Sequence, residues 1–225
     1  VKHGIPPIFR DQTVAIVAGG PSLKGFQFDQ LAGTPSIAIN RAHEFMPRAT
    51  MLYWGDAIFW RKNLFNLLAH QATWKVTLNL NYAGGEIMPP VVQYTVSGRE
   101  GYDPKPGRIR HGNNSAYAAM HLAVQLGARR LVLFGVDMHY GPNGESHFHS
   151  GYDSSTQTEE TLRRMMLPHF ASLVEPFEQM GVEVFNASPD SALRLWPRVA
   201  LSEGVAICTK FLPTTPSKGH SSATA

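Results

Sequence analysis

The sequence predicts an α/β protein, Rossmann-like, with a mostly parallel sheet flanked by helices and a loop or small lid inserted into it. Three observations predict this. Apolar runs of strand length recur along the chain with helix-spaced segments between them. The first of these runs, VAIVAGGPSL, passes without a break into paired glycines, as strands do where an α/β sheet brings backbone N–H groups to a phosphate. The best-marked helix, NSAYAAMHLAVQLG, leads at once into a further apolar run, RRLVLFGV.

Taken in order, residues up to Gln12 read as an arm and Thr13 to Ala18 as the first strand, which leaves through Gly19, Gly20, Pro21 and Ser22. The glycines permit close approach, Pro21 sets one φ, and Ser22 can cap a helix or bond a ligand oxygen; an ordinary strand-to-loop turn would read the same way. A short helix includes Gln27 to Leu31. Pro35 to Asn40, PSIAIN, alternates as a second strand and delivers Asn40 and Arg41 at its end. Met51 to Tyr53 is a third short strand ending at Trp54-Gly55-Asp56. The segment AIFWRKNLFNLLAH then has helical spacing through Phe59, Leu64, Leu67 and Leu68, and Lys75 to Leu80 is a fourth strand.

From Tyr82 to Gly112 the pattern breaks into Gly, Pro and the basic piece KPGRIRHG. The strong helix spans Asn114 to Gly127, and the strand Arg129 to Val136 ends in Asp137-Met138-His139-Tyr140. After a second polar loop, Glu159 to Met180 is a long helix that Pro168 and Pro176 kink or divide, and Val182 to Asn186 is the last strand. Residues 1–212 therefore read as one domain in which 82–112 and 141–158 are active-site loops or a lid, with 213–225 a disordered tail.

Composition narrows the function classes. A chain of 225 residues, 43% hydrophobic, can bury a sizeable core. A net charge of +3 tolerates anionic ligands but supplies no dense basic stripe of the kind a nucleic-acid binder carries. Cys208 is the only cysteine, so there is no disulfide framework and no Cys-based zinc site, and a reducing cytoplasm fits. The first residues lack the apolar stretch of a signal peptide, and no segment approaches the roughly 18 apolar residues of a membrane span.

In parallel sheets, ligands bind beyond the C-terminal strand ends. Four such ends carry candidate residues: Gly19-Gly20-Pro21-Ser22, Asn40-Arg41, Gly55-Asp56 and Gly135-Val136-Asp137. The glycine turn is neither a P-loop nor a dinucleotide fingerprint. Asn114 and Ser115 open the strong helix, where they either cap it or meet a ligand at its positive end. Asp137 reads as a ribose or metal ligand, or as a turn aspartate. His147 and His149 alternate so that both can face one side, as general base or acid or, with Glu145 and Asp153, as metal ligands. Arg108 and Arg110 read as an anion clamp or as solvated charges.

Together AGGPSL, the strand ending in Asn40, HGNNSAYAAMHLAVQLGARRLVLFGVDMHY, the His-bearing loop and VEVFNASPDSAL resemble a family of small phage and prophage proteins. That family is similar, at a distance, to the bacterial lipooligosaccharide sialyltransferases and to the 6-hydroxymethylpterin diphosphokinase (MptE-like) family. The resemblance spans about Val14 to Leu195 and is most specific over Asn113 to Tyr140. The sialyltransferase likeness implies Gly20, Pro21 and Ser22 at the nucleotide phosphate, Asn40 at the donor, Ser115 near the donor sugar, and Gly135 and Asp137 at the ribose or base. It implies a catalytic base from the loop of His147 and His149, His149 first. Gly19, Trp54 and His139 stand where that family has Asn, Asn and an aromatic residue, so its groups that assist departure of the nucleotide phosphate are not reproduced.

The expectation is a transferase for a nucleoside-phosphate-activated donor, foremost a nucleotide sugar, with a loop His as general base and no required cofactor. The alternatives are an ATP/Mg²⁺-dependent pyrophosphokinase, or a non-catalytic nucleotide-binding phage protein; the location expected is the cytoplasm, the host's if the protein is phage-encoded. The partners expected are a nucleotide-sugar or other nucleotide donor, an acceptor the sequence does not name, and, as an option, a second copy of the chain in a homo-oligomer.

Overall fold

Five consecutive residues of strand β1 (Thr13–Val17) are all buried, as are all four of β2 (Ser36–Ile39) and of β3 (Met51–Trp54), which is the burial that strands covered on both faces require. The computed structural model describes residues 4–78, 90–150 and 158–210. Its strands continue with β4 (Trp74–Leu78), β5 (Val91–Gly98), β6 (Arg108–Arg110), β7 (Arg130–Phe134) and β8 (Glu183–Asn186). They form one eight-stranded sheet in the order β6-β5-β4-β3-β2-β1-β7-β8, and every pairing is parallel. The α/β expectation holds.

The strand order reverses at β1. From there the chain builds outward through β2 to β6 on one side, then returns to lay β7 and β8 on the other. At such a reversal the connections leaving two neighbouring strands part in opposite directions and open a crevice at their C-terminal ends. Here those strands are β1 and β7, paired in register from Thr13 opposite Arg130 to Val17 opposite Phe134.

Helices cover both faces. Helix α1 (Ala57–Ala69) and α2 (Ser115–Gln125) are followed by α3 (Glu159–Thr161), α4 (Val174–Gln179) and α5 (Leu201–Thr209). One apolar layer joins α2 with Phe170, Leu173 and Phe177; the other joins Phe59, Trp60 and Leu67 of α1 with Leu31 and Cys208. Alanines 116, 118, 119 and 123 of α2 are buried, and their small side chains let the helix lie close on the sheet.

Three expectations need correction. The stretch 82–112, expected to be an active-site loop or lid, contains β5 and β6 at the sheet's far edge. Exposed polar positions such as Gln93 and Thr95 hid the strand pattern there. The helix from Glu159, expected to be kinked or divided at Pro168 and Pro176, is divided more fully, into α3, a wide turn over Leu162–Met166, a 3₁₀ segment over Leu167–Leu173, and α4, which contains Pro176 unbroken. The break comes at Pro168, which has no N–H to return to the carbonyl of Arg164. Helix α5 was not expected at all. Residues 79–89 and 151–157, parts of the two expected loops, and the expected tail 213–225 lie outside the described residues.

One buried group makes stability depend on pH. His121 of α2 has no solvent exposure, and its Nε2 accepts the N–H of Asp103 at 2.8 Å. Burial pushes its pKa down to about 4. The unfolded chain therefore takes up this proton near pH 6.5 and the native protein only near 4, so the stabilisation is complete above pH 6.5 and is lost as pH falls towards 4. The loss is on the order of 3 kcal/mol for this side chain. Urea unfolding at pH 7 and pH 4.5 should show a steeper loss in the wild type than in His121→Gln; equal losses would show that His121 does not carry the effect.

Candidate active site

The turn after β1 is held against the end of β7. Gly20 N–H donates to the carbonyl of Gly135 at 2.9 Å, and Ala18 N–H to that of Phe134 at 2.9 Å. A Cβ on Gly20 would lie 2.5 Å from the Gly135 oxygen and 2.6 Å from the Asp137 carboxylate, so only glycine permits this approach. The Ser22 N–H and hydroxyl donate to the two carboxylate oxygens of Asp137, each at 2.7 Å, and Asp137 is 2% exposed. Ser188 supports the same joint: its Oγ accepts the Gly135 N–H at 3.1 Å and lies 3.3 Å from the Ser22 hydroxyl. Ser22 and Asp137, each expected at the ligand, thus hold one another and brace the glycine turn.

A cleft opens above this joint, between the ends of β1, β2 and β7, the start of α2 and the loop after Tyr140. Of the expected residues, Gly19, Gly20, Asn40, Asn114, Ser115, Gly135, Asp137, His147 and His149 line it. Pro21 and Ser22 form the turn immediately behind Gly20. Among the described residues four non-glycines have positive φ, and three of them, Asn40 (+50°), Asn113 (+53°) and Met138 (+57°), line the cleft. A left-handed Met costs about 1–2 kcal/mol, so the fold concentrates its local backbone strain at this site.

Asn114 caps α2: its Oδ1 accepts the N–H groups of Ala116 at 2.8 Å and Tyr117 at 3.4 Å. Ser115 begins the helix beside it, and the eleven-residue helix directs its positive end at the cleft. Arg41 adds a formal cation to the cleft wall, paired with Glu44 at 2.8 Å.

The histidine loop is tied to the glycine turn by the Phe148 N–H, which donates to the carbonyl of Gly19 at 3.0 Å. The rings of His147 and His149 stack with centroids 5.3 Å apart, and Phe45 stacks near the His149 ring at 6.1 Å. A Cβ on Gly19 would lie 2.9 Å from the His147 ring, so the bare glycine makes room for that imidazole. Burial, then the positive fields of His147 and Arg41, push the His149 pKa down to about 4; burial lowers that of His147. Both imidazoles are therefore neutral at pH 7 and able to accept a proton. Among the described residues no cluster of three or more His, Cys, Asp or Glu is placed to hold a metal ion.

Other expected site residues lie elsewhere. Asp56 is the N-cap of α1, its Oδ1 accepting the Ile58 N–H at 2.6 Å and the Phe59 N–H at 3.3 Å. The expected anion clamp is divided along β6: Arg108 pairs with Asp103 at 2.9 Å, and Arg110 donates to the Glu100 carbonyl. Neither arginine lines the cleft. Arg41, a candidate at the end of the second strand, does line it, as do Asn113, Met138 and Met166, which sequence reasoning did not place at the site. Asn113 adjoins a chosen residue and could have been found that way; Met166 comes from a distant helical segment and carried no such signal.

The sequence matches no protein-family model and no curated protein. Solved structures do resemble it. The chain is similar to the monofunctional α-2,3-sialyltransferase Cst-I from Campylobacter jejuni, at 14% identity and a TM-score of 0.54, over 84% of this chain and 80% of that one. It is also similar to the sialyltransferase CstII from Campylobacter jejuni in complex with cytidine-5′-monophosphate, at 16% identity and a TM-score of 0.47, over 85% of this chain and 86% of that one. At such identities the likeness is one of fold. Among the described residues no helix is long and apolar enough to cross a membrane.

Proposed function

We propose that this protein is a transferase that binds a nucleoside-phosphate-activated donor, a nucleotide sugar, in the cleft between β1 and β7, and moves the sugar to an acceptor hydroxyl. The observation that carries the reading is a convergence at the topological switch point. A braced glycine turn, the N-terminal end of α2 and Arg41 meet there on one cleft, with two neutral imidazoles on the loop tied to that turn. A helix N-terminus, a cation and glycines that let a ligand approach the backbone closely are what a phosphate needs. The fold likeness to Cst-I agrees with this choice of reaction class.

In this reading the donor phosphate lies at the glycine turn and the start of α2, with Asn40 beside the nucleoside. His149 takes the proton from the acceptor hydroxyl as its oxygen attacks the anomeric carbon. The bond from that carbon to the phosphate oxygen breaks, its electrons go to the leaving nucleotide, and the α2 dipole and Arg41 stabilise the charge that develops. We propose that no metal takes part. Among the described residues the only carboxylate lining the cleft is Asp137, and both its oxygens are engaged by Ser22.

Thermal shift against nucleoside monophosphates and CMP-, UDP- and GDP-linked sugars in EDTA tests this. A ligand at a hundred times its Kd stabilises by about 2.7 kcal/mol, which for a chain of this size raises Tm by about 5–10 °C. A shift with one nucleotide class in EDTA is the expected result. No shift with any of them, or a shift only with ATP and Mg²⁺, would contradict it.

A further inference from the structure

We propose that His43 is a positioning residue, which holds Asn40 so that its amide oxygen is presented to a hydroxyl or amino group of the bound nucleoside. The inference rests on the nucleotide-donor reading above and concerns a residue that does not itself line the cleft. Asn40 directly follows β2 and opens a 3₁₀ turn, has φ +50°, and its Oδ1 is buried with no hydrogen-bond partner among the described residues. A buried amide oxygen left unpaired destabilises the free protein, and at the wall of a ligand cleft that cost is recovered when a ligand donor arrives.

What keeps Asn40 in this conformation lies behind it. His43 is 3% exposed, and its Nδ1 is 2.8 Å from the Asn40 carbonyl oxygen. A carbonyl only accepts, so Nδ1 carries the proton. His43 sits edge-on to Phe59, with ring centroids 6.2 Å apart, and beside His70 at 5.9 Å. The same turn is gripped from its other side. His70, the residue closing α1, has Nδ1 accepting the Ala72 N–H at 2.9 Å, so its Nε2–H donates to the carbonyls of His43 at 3.2 Å and Met46 at 3.1 Å. Lys75, buried on β4, donates in turn to the His70 carbonyl at 2.9 Å. A chain of polar contacts thus runs from β4 through His70 and His43 to the backbone of one cleft residue.

The test is a double-mutant cycle read by nucleotide affinity and by stability, using the nucleotide that shifts the wild type most among CMP, UMP, AMP and GMP. His43→Leu should weaken its binding about tenfold, the equivalent of one lost oriented hydrogen bond. His43→Asn, whose amide N–H can replace Nδ1–H, should recover most of that loss. In an Asn40→Ala background His43→Leu should weaken binding no further, while its effect on Tm should persist. Equal affinities for wild type and His43→Leu, or the same tenfold loss with and without the Asn40 side chain, would overturn the inference and leave the donor reading standing. Failure of the wild type to bind any of the four would overturn both.

Discussion

His149→Ala is expected to reduce sugar transfer by about 10²- to 10⁴-fold while nucleotide affinity stays close to that of the wild type. The separation follows from the geometry. The groups suited to the phosphate lie on the glycine turn and α2, whereas His149 belongs to the loop after Tyr140 and is neutral in the free protein. Its removal takes away a proton acceptor but no cation. With a folded-state pKa of about 4, the imidazole remains a base across the neutral range, and kcat/KM should fall on the acid side as it becomes protonated. Imidazole added to the buffer should restore part of the lost rate to His149→Ala. Undiminished turnover in that variant would remove His149 from the role. A matching loss of nucleotide affinity would make it a binding group instead.

Asp137→Ala should have the second large effect, on folding and binding together. The carboxylate accepts two hydrogen bonds of 2.7 Å from Ser22 in a buried setting, and deleting it leaves the Ser22 N–H without that partner. Hydrogen bonds to charged groups contribute about 1.5–3 kcal/mol, so a loss of about 3 kcal/mol is expected, or roughly 6–12 °C in Tm. Nucleotide binding should weaken strongly with it, because the Gly19-Gly20 turn keeps its backbone bonds to Phe134 and Gly135 but loses the Ser22–Asp137 brace behind it. Asp137→Asn should fall between: its Oδ1 can still accept the Ser22 N–H, and its amide can donate to a Ser22 hydroxyl that has turned round. Urea unfolding and nucleotide titration of the three proteins check this. Wild-type stability with lost binding in Asp137→Ala would mean that the carboxylate serves the ligand rather than the fold.

These two aspartates show how far the sequence could be read. Asp56 directly after Gly55 and Asp137 two residues after Gly135 both lie just beyond the end of a buried strand, and sequence reasoning placed both at the ligand. Asp56 finds its partners two and three residues ahead, at Ile58 and Phe59; Asp137 finds its own 115 residues back, at Ser22. Only the tertiary fold separates those cases. Strands β1, β2, β3 and β7 were legible because parallel strands covered on both faces are continuous apolar runs. At the edge, β5 and β6 have exposed positions and no such run. Helix α5 was hidden by Gly204, which reads as a helix breaker yet is required, since a Cβ there would lie 2.5 Å from that of Ala187. The glycine turn, Asn40, the start of α2 and the histidine loop were legible through the rule that ligands gather at strand ends. The positive φ of Asn113 and Met138, and the approach of Met166, depend on contacts that local pattern does not encode.

A metal-free nucleoside-phosphate site in the crevice between β1 and β7, as proposed, would show itself in the backbone amides that line it. The most direct measurement is a titration of ¹⁵N-labelled protein with the nucleotide that stabilises it most, in EDTA, following backbone amide resonances. The amides of Gly19, Gly20, Ser115 and Gly135 should shift together and saturate with one affinity. Shifts confined to other parts of the sheet, or appearing only when Mg²⁺ is restored, would contradict the claim.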